Sequence, residues 1–238
     1  MVTCLADTVM PAAARATVEV LERLGHEVVF PQAQTCCGQM HANTGYLPEA
    51  ASLARRTIDI FAEYEAVVSP SASCVGTIRK QYVHLAEEVG DASLERDARA
   101  LAPKVFELSE FLVDALGVTD VGAQFTAKVA YHPTCHSLRV LRLGDKPERL
   151  LAAVKGLELV TFADSSECCG FGGTFSVKNP DTSGAMLADK MMSVRGSGAD
   201  VLCAVDASCL MHIGGGLRRG GSGPRTMHLA EILASGER

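Results

Sequence analysis

Positively charged residues are scarce in this chain of 238 residues. Lys and Arg number 22 against 28 Asp and Glu, which leaves a formal net charge of −6, and no basic stripe offsets that balance. Broad electrostatic attraction to nucleic acid or to an anionic membrane surface is therefore excluded. No apolar run approaches the roughly 18 residues of a membrane span, so the sequence predicts no transmembrane segment.

The amino-terminal stretch lacks a targeting signal as well. It has no positively charged segment followed by an apolar core, which predicts a cytoplasmic protein. Nine cysteines are present, and an odd number of thiols in a reducing compartment argues against a disulfide framework. Metal binding or redox chemistry is the leading interpretation of so many cysteines.

Common cofactor fingerprints are missing too. The chain has neither a G-x-G-x-x-G turn after a strand nor the G-x-x-x-x-G-K-[ST] order of a phosphate-binding loop. It also lacks the C-x2-C-x2-C-x3-C-P run of a ferredoxin. If the function of this chain requires a flavin or a ferredoxin-type cluster, that group is expected on a partner chain.

What the sequence does contain is a cysteine pattern written twice. Eight of the nine cysteines form two quartets with the spacings C-x31-C-C-x36-C and C-x32-C-C-x39-C. A glycine follows the adjacent pair in both quartets. The first quartet is Cys4, Cys36, Cys37 and Cys74, and the second is Cys135, Cys168, Cys169 and Cys209.

The segments between these cysteines repeat as alternating helix and strand patterns. Apolar extended runs precede the later cysteines of each half, and helical patterns follow each CCG. This alternation predicts an α/β fold, a tandem pseudo-twofold repeat of small parallel-sheet cysteine-rich domains, with each quartet at the carboxyl ends of three strands. The predicted strands of the first half include HEVVFP, at 26–31, and the second half is predicted to have a helix over 137–156.

Three regions follow from the repeat. The first cysteine-rich repeat is predicted at 1–91, a helical bridge at 92–126 and the second repeat at 127–238. A full strand pattern precedes Cys135, but only Met1, Val2 and Thr3 precede Cys4. The repeat raises the question whether the true start lies several residues upstream of Met1, and the sequence leaves that question open.

Adjacent thiols on a glycine turn suit one metal centre. Neighbouring residues of a strand point to opposite faces, so Cys168 and Cys169 reach one centre only if the backbone turns, which Gly170 permits. Four thiolates hold either zinc or an iron–sulfur cluster. Zinc sites usually use two local pairs with a spacer, whereas this pattern has one pair without a spacer. Both metals remain candidates, and the spacing favours the cluster.

Several phrases around these cysteines resemble a known family. They are VTCLAD, FPQAQTCCGQ, NTGY, PSASCVG, YHPTCHSLR, ECCGFGGTFSVK and CLMHIGG, and they span almost the whole chain. The chain is similar to the cysteine-rich "CCG" iron–sulfur family, which includes the cysteine-rich component of heterodisulfide reductase and the glycolate oxidase iron–sulfur subunit, and it most resembles the lactate-utilization branch. The resemblance implies one or two [4Fe–4S] clusters per chain on the eight cysteines. It also implies electron transfer in the oxidation of L-lactate to pyruvate beside two other lactate-utilization proteins, one of them of ferredoxin type.

The sequence departs from the broad family pattern at one position of each half. The broad pattern ends in C-x-x-C, but the residues three before Cys74 and Cys209 are Ser71 and Asp206. Four ligands per half suit an ordinary [4Fe–4S] cluster better than the five-cysteine noncubane cluster of heterodisulfide reductase. Asp206 is expected to be either an oxygen ligand or a hydrogen-bonded carboxylate.

The remaining residues near the quartets have simpler interpretations. Cys203 is predicted to pack in a buried strand, and His132 and His136 are interpreted either as tuning a cluster or as polar loop residues. Two other functions stay open at this point. One is a thiol/disulfide redox subunit like that of heterodisulfide reductase, and the other is a zinc-bound scaffold that assembles partners without redox chemistry.

Overall fold

The computed structural model describes residues 1–236 and has an α/β fold with parallel sheets. The strands are Val67–Ser69 (β1), Val105–Glu107 (β2), Gln124–Tyr131 (β3), Lys155–Val160 (β4), Val201–Ala204 (β5) and Arg225–His228 (β6). The helices of the first half are Cys4–Thr8 (α1), Pro11–Arg23 (α2), Gln39–Thr44 (α3), Leu47–Phe61 (α4), Ala72–Gly76 (α5), Tyr82–Val89 (α6), Ala92–Leu101 (α7) and Leu108–Glu110 (α8). Those of the second half are Lys146–Ala152 (α9), Phe175–Lys178 (α10), Pro180–Gly196 (α11), Ala207–Arg219 (α12) and Leu229–Ala234 (α13). Among the described residues, no helix combines the length and hydropathy needed to cross a bilayer.

The strands pair in parallel throughout residues 1–236, as the alternating pattern predicts. The first half has a two-stranded sheet in which β1 pairs with β2, and the second has a four-stranded sheet in the order β4-β3-β5-β6. The middle strand β5 is buried along its whole length, which explains why its sequence, VLCA, is a continuous apolar run. The predicted α/β class and the tandem arrangement are confirmed.

The bridge between the halves contains more than the predicted helices. Within 92–126, residues Val105–Glu107 form β2, so the prediction of a purely helical segment is wrong at this strand. α8 follows β2 directly, as α13 follows β6 in the second half. The sequences at these two junctions, ELSEFL and HLAEIL, correspond to each other. The signal was present in the sequence, but the helical periodicity of the segment concealed a strand of three residues. The division at 91 and 127 stays a prediction.

The strand predicted at 26–31 is absent from the structure. These residues have irregular backbone, and Val29 and Phe30 are about half exposed. In the second half the corresponding strand, β4, pairs with β3, which leads to Cys135. No strand precedes Cys4, so the 26–31 segment has no neighbour with which to pair, and a lone strand is unstable. The expectation of three strands behind each quartet therefore holds only in the second half.

The helix predicted at 137–156 is broken in the middle. Residues His136–Leu141 form a π-helical segment, and the chain then turns through Arg142 and Gly144, both of positive φ. The α-helix resumes as α9, with Pro147 in its first turn, where proline has no N–H to leave unpaired. Periodicity alone does not reveal this break, because both segments present apolar residues to the same core.

One hydrophobic cluster is shared by the two halves, beside one cluster within each half. Helix α2 of the first half packs against α13 of the second. Buried Val20 and Leu21 lie in the same cluster as Leu229 and Leu233. The Arg23 guanidinium donates hydrogen bonds to the carbonyl oxygens of Val121, in the bridge, and of Leu233 and Ala234, near the end of the second half. The shared cluster therefore joins the two halves.

A buried acid at the end of β2 makes the stability of this core depend on pH. Glu107 is fully buried, and its Oε2 accepts hydrogen bonds from the Ser109 hydroxyl and from the backbone N–H of Ser109 at 2.7 Å. Burial nevertheless raises the pKa of the Glu107 carboxyl from 4.5 to about 7. Between about pH 4.5 and pH 7, the folded protein thus keeps a proton on Glu107 that the unfolded chain releases.

We expect this carboxyl to stabilise the fold fully below about pH 4.5 and to lose its contribution as the pH rises through about 7. The loss is on the order of 3 kcal/mol at pH 8. Glu107→Gln keeps the shape of the side chain without an ionisable group, so the variant should become more stable relative to wild type as the pH rises. Urea unfolding of both proteins at pH 5.5 and pH 8 measures the difference, and exposed Glu65→Gln serves as the control. An equal difference at both values would contradict the burial of an ionising carboxyl.

Candidate metal centre

Both cysteine quartets open onto one cavity between the two halves. The cavity has a volume of about 150 Å³ and is lined by sulfur-bearing residues from every part of the repeat. All eight cysteines predicted from the spacing lie on its wall: Cys4, Cys36, Cys37, Cys74, Cys135, Cys168, Cys169 and Cys209. The fold therefore assembles residues that are up to 205 positions apart, the separation of Cys4 and Cys209 (209 − 4), into one place.

A threonine-capped turn presents the first cysteine of each quartet. Cys4 opens α1, and the Thr3 hydroxyl before it accepts a hydrogen bond from the Ala6 N–H at 3.2 Å. In the second half, the Thr134 hydroxyl before Cys135 accepts one from the Ser137 N–H at 3.4 Å. The Thr-Cys pair in VTC and PTC was a readable signal for this turn, which the cysteine spacing alone did not reveal.

The last cysteine of each quartet lies in the first turn of a helix. Cys74 is the third residue of α5, and Cys209 is the third residue of α12. Backbone N–H groups and the positive end of the helix dipole stabilise a thiolate at such a position. A hydrogen bond from Cys169 lowers the pKa of the Cys209 thiol to about 6, against the opposing effect of burial.

Each CCG turn bends the backbone with a glycine in the left-handed region. Gly38 has φ +82° and Gly170 has φ +90°. The turn brings each glycine N–H to 3.4 Å from the sulfur of the first cysteine of the pair, Cys36 or Cys168. The two halves therefore repeat this contact atom for atom, and the turn directs both thiols of a pair toward the cavity.

The thiols within each quartet are close enough to hydrogen-bond one another. Hydrogen bonds from Cys37 and Cys4 lower the pKa of Cys36 well below the ordinary thiol value. Those from Cys135 and Cys169 lower the pKa of Cys168 in the same way. Each quartet thus contains at least one sulfur that its neighbours hold as thiolate, the form that binds metal.

Exposure divides each quartet in the same way. The first two sulfur positions of each half are partly exposed, and the last two are buried. Cys37 is 4% exposed and Cys169 is 2% exposed. Each four-sulfur set therefore has a side against the protein interior and a side toward the surface.

A buried histidine distinguishes the second quartet. His132 is fully buried, and its Nδ1 lies 2.9 Å from the Ser165 carbonyl oxygen, to which it donates. One of its ring nitrogens lies within 4.8 Å of the sulfurs of Cys169 and Cys209. His132 therefore lies beside the sulfurs rather than in a polar loop, one of the two interpretations open from the sequence.

The other residues singled out in the sequence lie in different surroundings. His136 Nε2 accepts from the Gln39 amide at 2.9 Å, a contact between the two halves beside the cavity. Cys203 lies in β5 within the hydrophobic core and does not line the cavity. Burial raises the pKa of its thiol.

Sequence reasoning missed a polar network in the cavity wall. Asp206 is buried and accepts hydrogen bonds from the Ser71 hydroxyl at 2.9 Å, the Ser73 N–H at 3.0 Å and the Thr134 hydroxyl at 2.5 Å. Ser71 and Asp206 hold corresponding positions of the two halves. The alignment of the halves identified both positions, but it could not show that the two side chains meet.

The donor set of the cavity fits a thiolate-bound metal cluster. Each half offers four soft sulfur donors, the ligand type of zinc and of iron–sulfur clusters. The backbone N–H groups of the CCG turns already point at two of these sulfurs, as they do around iron–sulfur clusters, where such hydrogen bonds adjust the reduction potential.

Two corresponding sets of four cysteines, each including the pair of a CCG turn, lie in a parallel α/β fold. This arrangement defines a tandem cysteine-rich protein. The family model of the cysteine-rich domain, CCG, matches residues 1–79 and 129–214, one match for each half. The chain is 50% identical over 237 residues to Lactate utilization protein A of Exiguobacterium sp., a match that covers 99% of this chain and 96% of that protein. The proteins of the same name from Oceanobacillus iheyensis and Geobacillus kaustophilus are 47% identical, covering 98% of this chain and 94% and 96% of theirs. The chain belongs to the lactate utilization protein A family of cysteine-rich domain proteins.

Among solved structures, one described as a proposed Asp/Glu racemase from Yersinia pestis superposes with a TM-score of 0.36 at 10% identity. The superposition covers 98% of this chain and 94% of that one. A score this low does not establish a shared fold.

Proposed function

We propose that the chain is an iron–sulfur electron-transfer subunit that serves the oxidation of L-lactate to pyruvate. The observation that carries the proposal is the pair of four-thiol sets that face one cavity with the same turns, caps and burial in each half. The name of the relatives supports the process, because those proteins are called Lactate utilization protein A. The proposed ligands are the eight cysteines of the two quartets.

The chain's own residues would hold and shield the clusters. The buried sulfurs of Cys37, Cys74, Cys169 and Cys209 keep water from the inner side of each set. The N–H groups of Gly38 and Gly170 donate to sulfur and stabilise negative charge there. A [4Fe–4S] cluster, when bound, supplies one-electron transfer. The partly exposed sulfurs of each set face the surface, where a partner exchanges electrons.

The substrate chemistry is proposed to belong to partner proteins. Removal of an electron pair from a 2-hydroxy acid normally needs a flavin or another organic cofactor, and the sequence carries no fingerprint for one. The letter in the relatives' name also implies further proteins of the same system in those organisms. We propose two such partners, one of them a ferredoxin-type iron–sulfur protein.

Metal analysis of the anaerobically purified wild-type protein tests this proposal. We expect about eight irons and eight acid-labile sulfides per chain, and a brown colour, if both quartets hold [4Fe–4S] clusters. About four of each would leave one quartet as the remnant of a site. Zinc without sulfide would contradict the electron-transfer role, because Zn²⁺ has no redox chemistry, and would leave the scaffold function.

A further inference from the structure

The positions where this chain departs from the C-x-x-C pattern meet in the wall of the cavity. Ser71 precedes the first residue of α5, and Asp206 precedes the first residue of α12. Each lies three residues before the last cysteine of its quartet. Their side chains are in contact across the two halves, with Ser71 Oγ 2.9 Å from Asp206 Oδ1.

Through this contact, one carboxylate reaches the neighbours of ligands in both quartets. Oδ1 of Asp206 also accepts a hydrogen bond from the N–H of Ser73, the residue directly before Cys74. Oδ2 accepts from the hydroxyl of Thr134, which precedes Cys135 and caps its turn. Asp206 also directly precedes α12, the helix that carries Cys209. Three of the eight sulfur positions are therefore tied to one side chain.

The charge of this side chain lies inside the cavity wall. Asp206 is 2% exposed and lines the same cavity as all eight cysteines. Within residues 1–236 it forms no ion pair with Lys, Arg or His, and its partners are two hydroxyls and one N–H. A charge in such a poorly screened place interacts strongly with the groups around the cavity, because few solvent dipoles intervene.

We infer that Asp206 is a positioning residue shared by the two metal sites, which fixes the turns of Cys74 and Cys135 and places one negative charge between them. The inference deepens the proposed function and rests on it. A fixed negative charge opposes the addition of an electron to a nearby cluster, so Asp206 would lower the reduction potentials of both clusters together. A residue that served only packing would not move either potential.

The decisive variant is Asp206→Asn, compared with Asp200→Asn as a control of equal charge change. Asparagine keeps an acceptor oxygen for Ser71 and Ser73, and the Thr134 hydroxyl can rotate to accept from the new amide. Asp200 precedes the opposite end of β5, where its exposed carboxylate accepts from the Lys128 N–H at 2.9 Å. Reduction followed by electron paramagnetic resonance gives the potentials, and iron and sulfide analysis gives the occupancy. We expect both potentials of Asp206→Asn to shift upward at unchanged iron content, and those of Asp200→Asn to stay at the wild-type values.

A second variant keeps the inference testable if Asp206→Asn fails to fold. Thr134→Val removes one donor while the carboxylate stays, so its charge is less compensated and both potentials should shift downward. Full iron content with unshifted potentials in either folded variant would overturn the inference and leave the proposed function standing. A wild-type protein with zinc and no sulfide would overturn both.

Discussion

Replacing Cys168 and Cys169 together by serine is expected to halve the iron of the protein, from about eight atoms per chain to about four. The two thiols lie on one CCG turn and supply half of the second quartet. Hard serine oxygens are poor substitutes for thiolate, so the second cluster should be lost. Iron and acid-labile sulfide should fall together, and the visible absorbance should fall by half.

Two controls separate ligand loss from general damage. Cys203→Ala removes a buried cysteine of the same half that lies in the core outside the cavity, so it should lower the melting temperature and keep all the iron. The mirror variant, Cys36→Ser with Cys37→Ser, should also retain about four irons if both halves carry a cluster. Full iron content in the Cys168/Cys169 variant would contradict their assignment as ligands. A fall from about four irons to none would assign the single cluster to the second half.

Gly170→Ala is expected to remove the second cluster without touching a sulfur atom. The residue has φ +90°, and an added Cβ would lie 2.7 Å from the Ser183 carbonyl oxygen and 3.0 Å from Met186 Cβ. Helix α11 carries both neighbours, and its Ser183 hydroxyl donates to the Gly170 carbonyl at 2.8 Å, so a shift of the helix away from the turn would break this hydrogen bond. The turn should open and separate the two thiols, with loss of about four irons.

Gly45→Ala is the matched control for this prediction. Gly45 has φ +91°, nearly the same as Gly170, but an added Cβ would meet nothing within 4 Å. Its cost is the left-handed strain alone, about 1 to 2 kcal/mol of unfolding free energy, at full iron content. Urea unfolding and iron analysis of both variants separate the two effects. Equal stability losses with the same iron content would show that the space around the CCG turn is unimportant.

The meeting of the eight cysteines in one place was the most predictable feature of this protein, because their spacing is repeated. Eight sulfur positions on one doubled spacing, each pair followed by a glycine such as Gly170, require a common backbone path in both halves. The alternation of helix and strand patterns between the cysteines predicts the α/β class and the parallel sheets, in which residues distant in sequence meet at the carboxyl ends of the strands.

What the sequence could not provide depends on neighbours rather than on the local pattern. The segment 26–31 does not form the expected strand because it has no partner strand, although its apolar pattern is typical of one. Strand β2 is real, although its segment is periodic like a helix. The contact between Ser71 and Asp206 is invisible for the same reason, because a comparison of two halves shows which residues correspond and not which ones touch.

Ser71 and Asp206 are corresponding residues that touch, so they lie beside the axis that relates the two halves. Helix α5 packs on the segment after Cys135, and α12 packs on α1, as such an axis requires. In a dimer of two identical repeats, a residue in that place would face its own copy, and an aspartate would face an aspartate. A chain that carries both copies in one gene is free of that symmetry. One copy can then supply the charge and the other its hydrogen-bond donor. A symmetric pair of protomers would have the same residue at both positions.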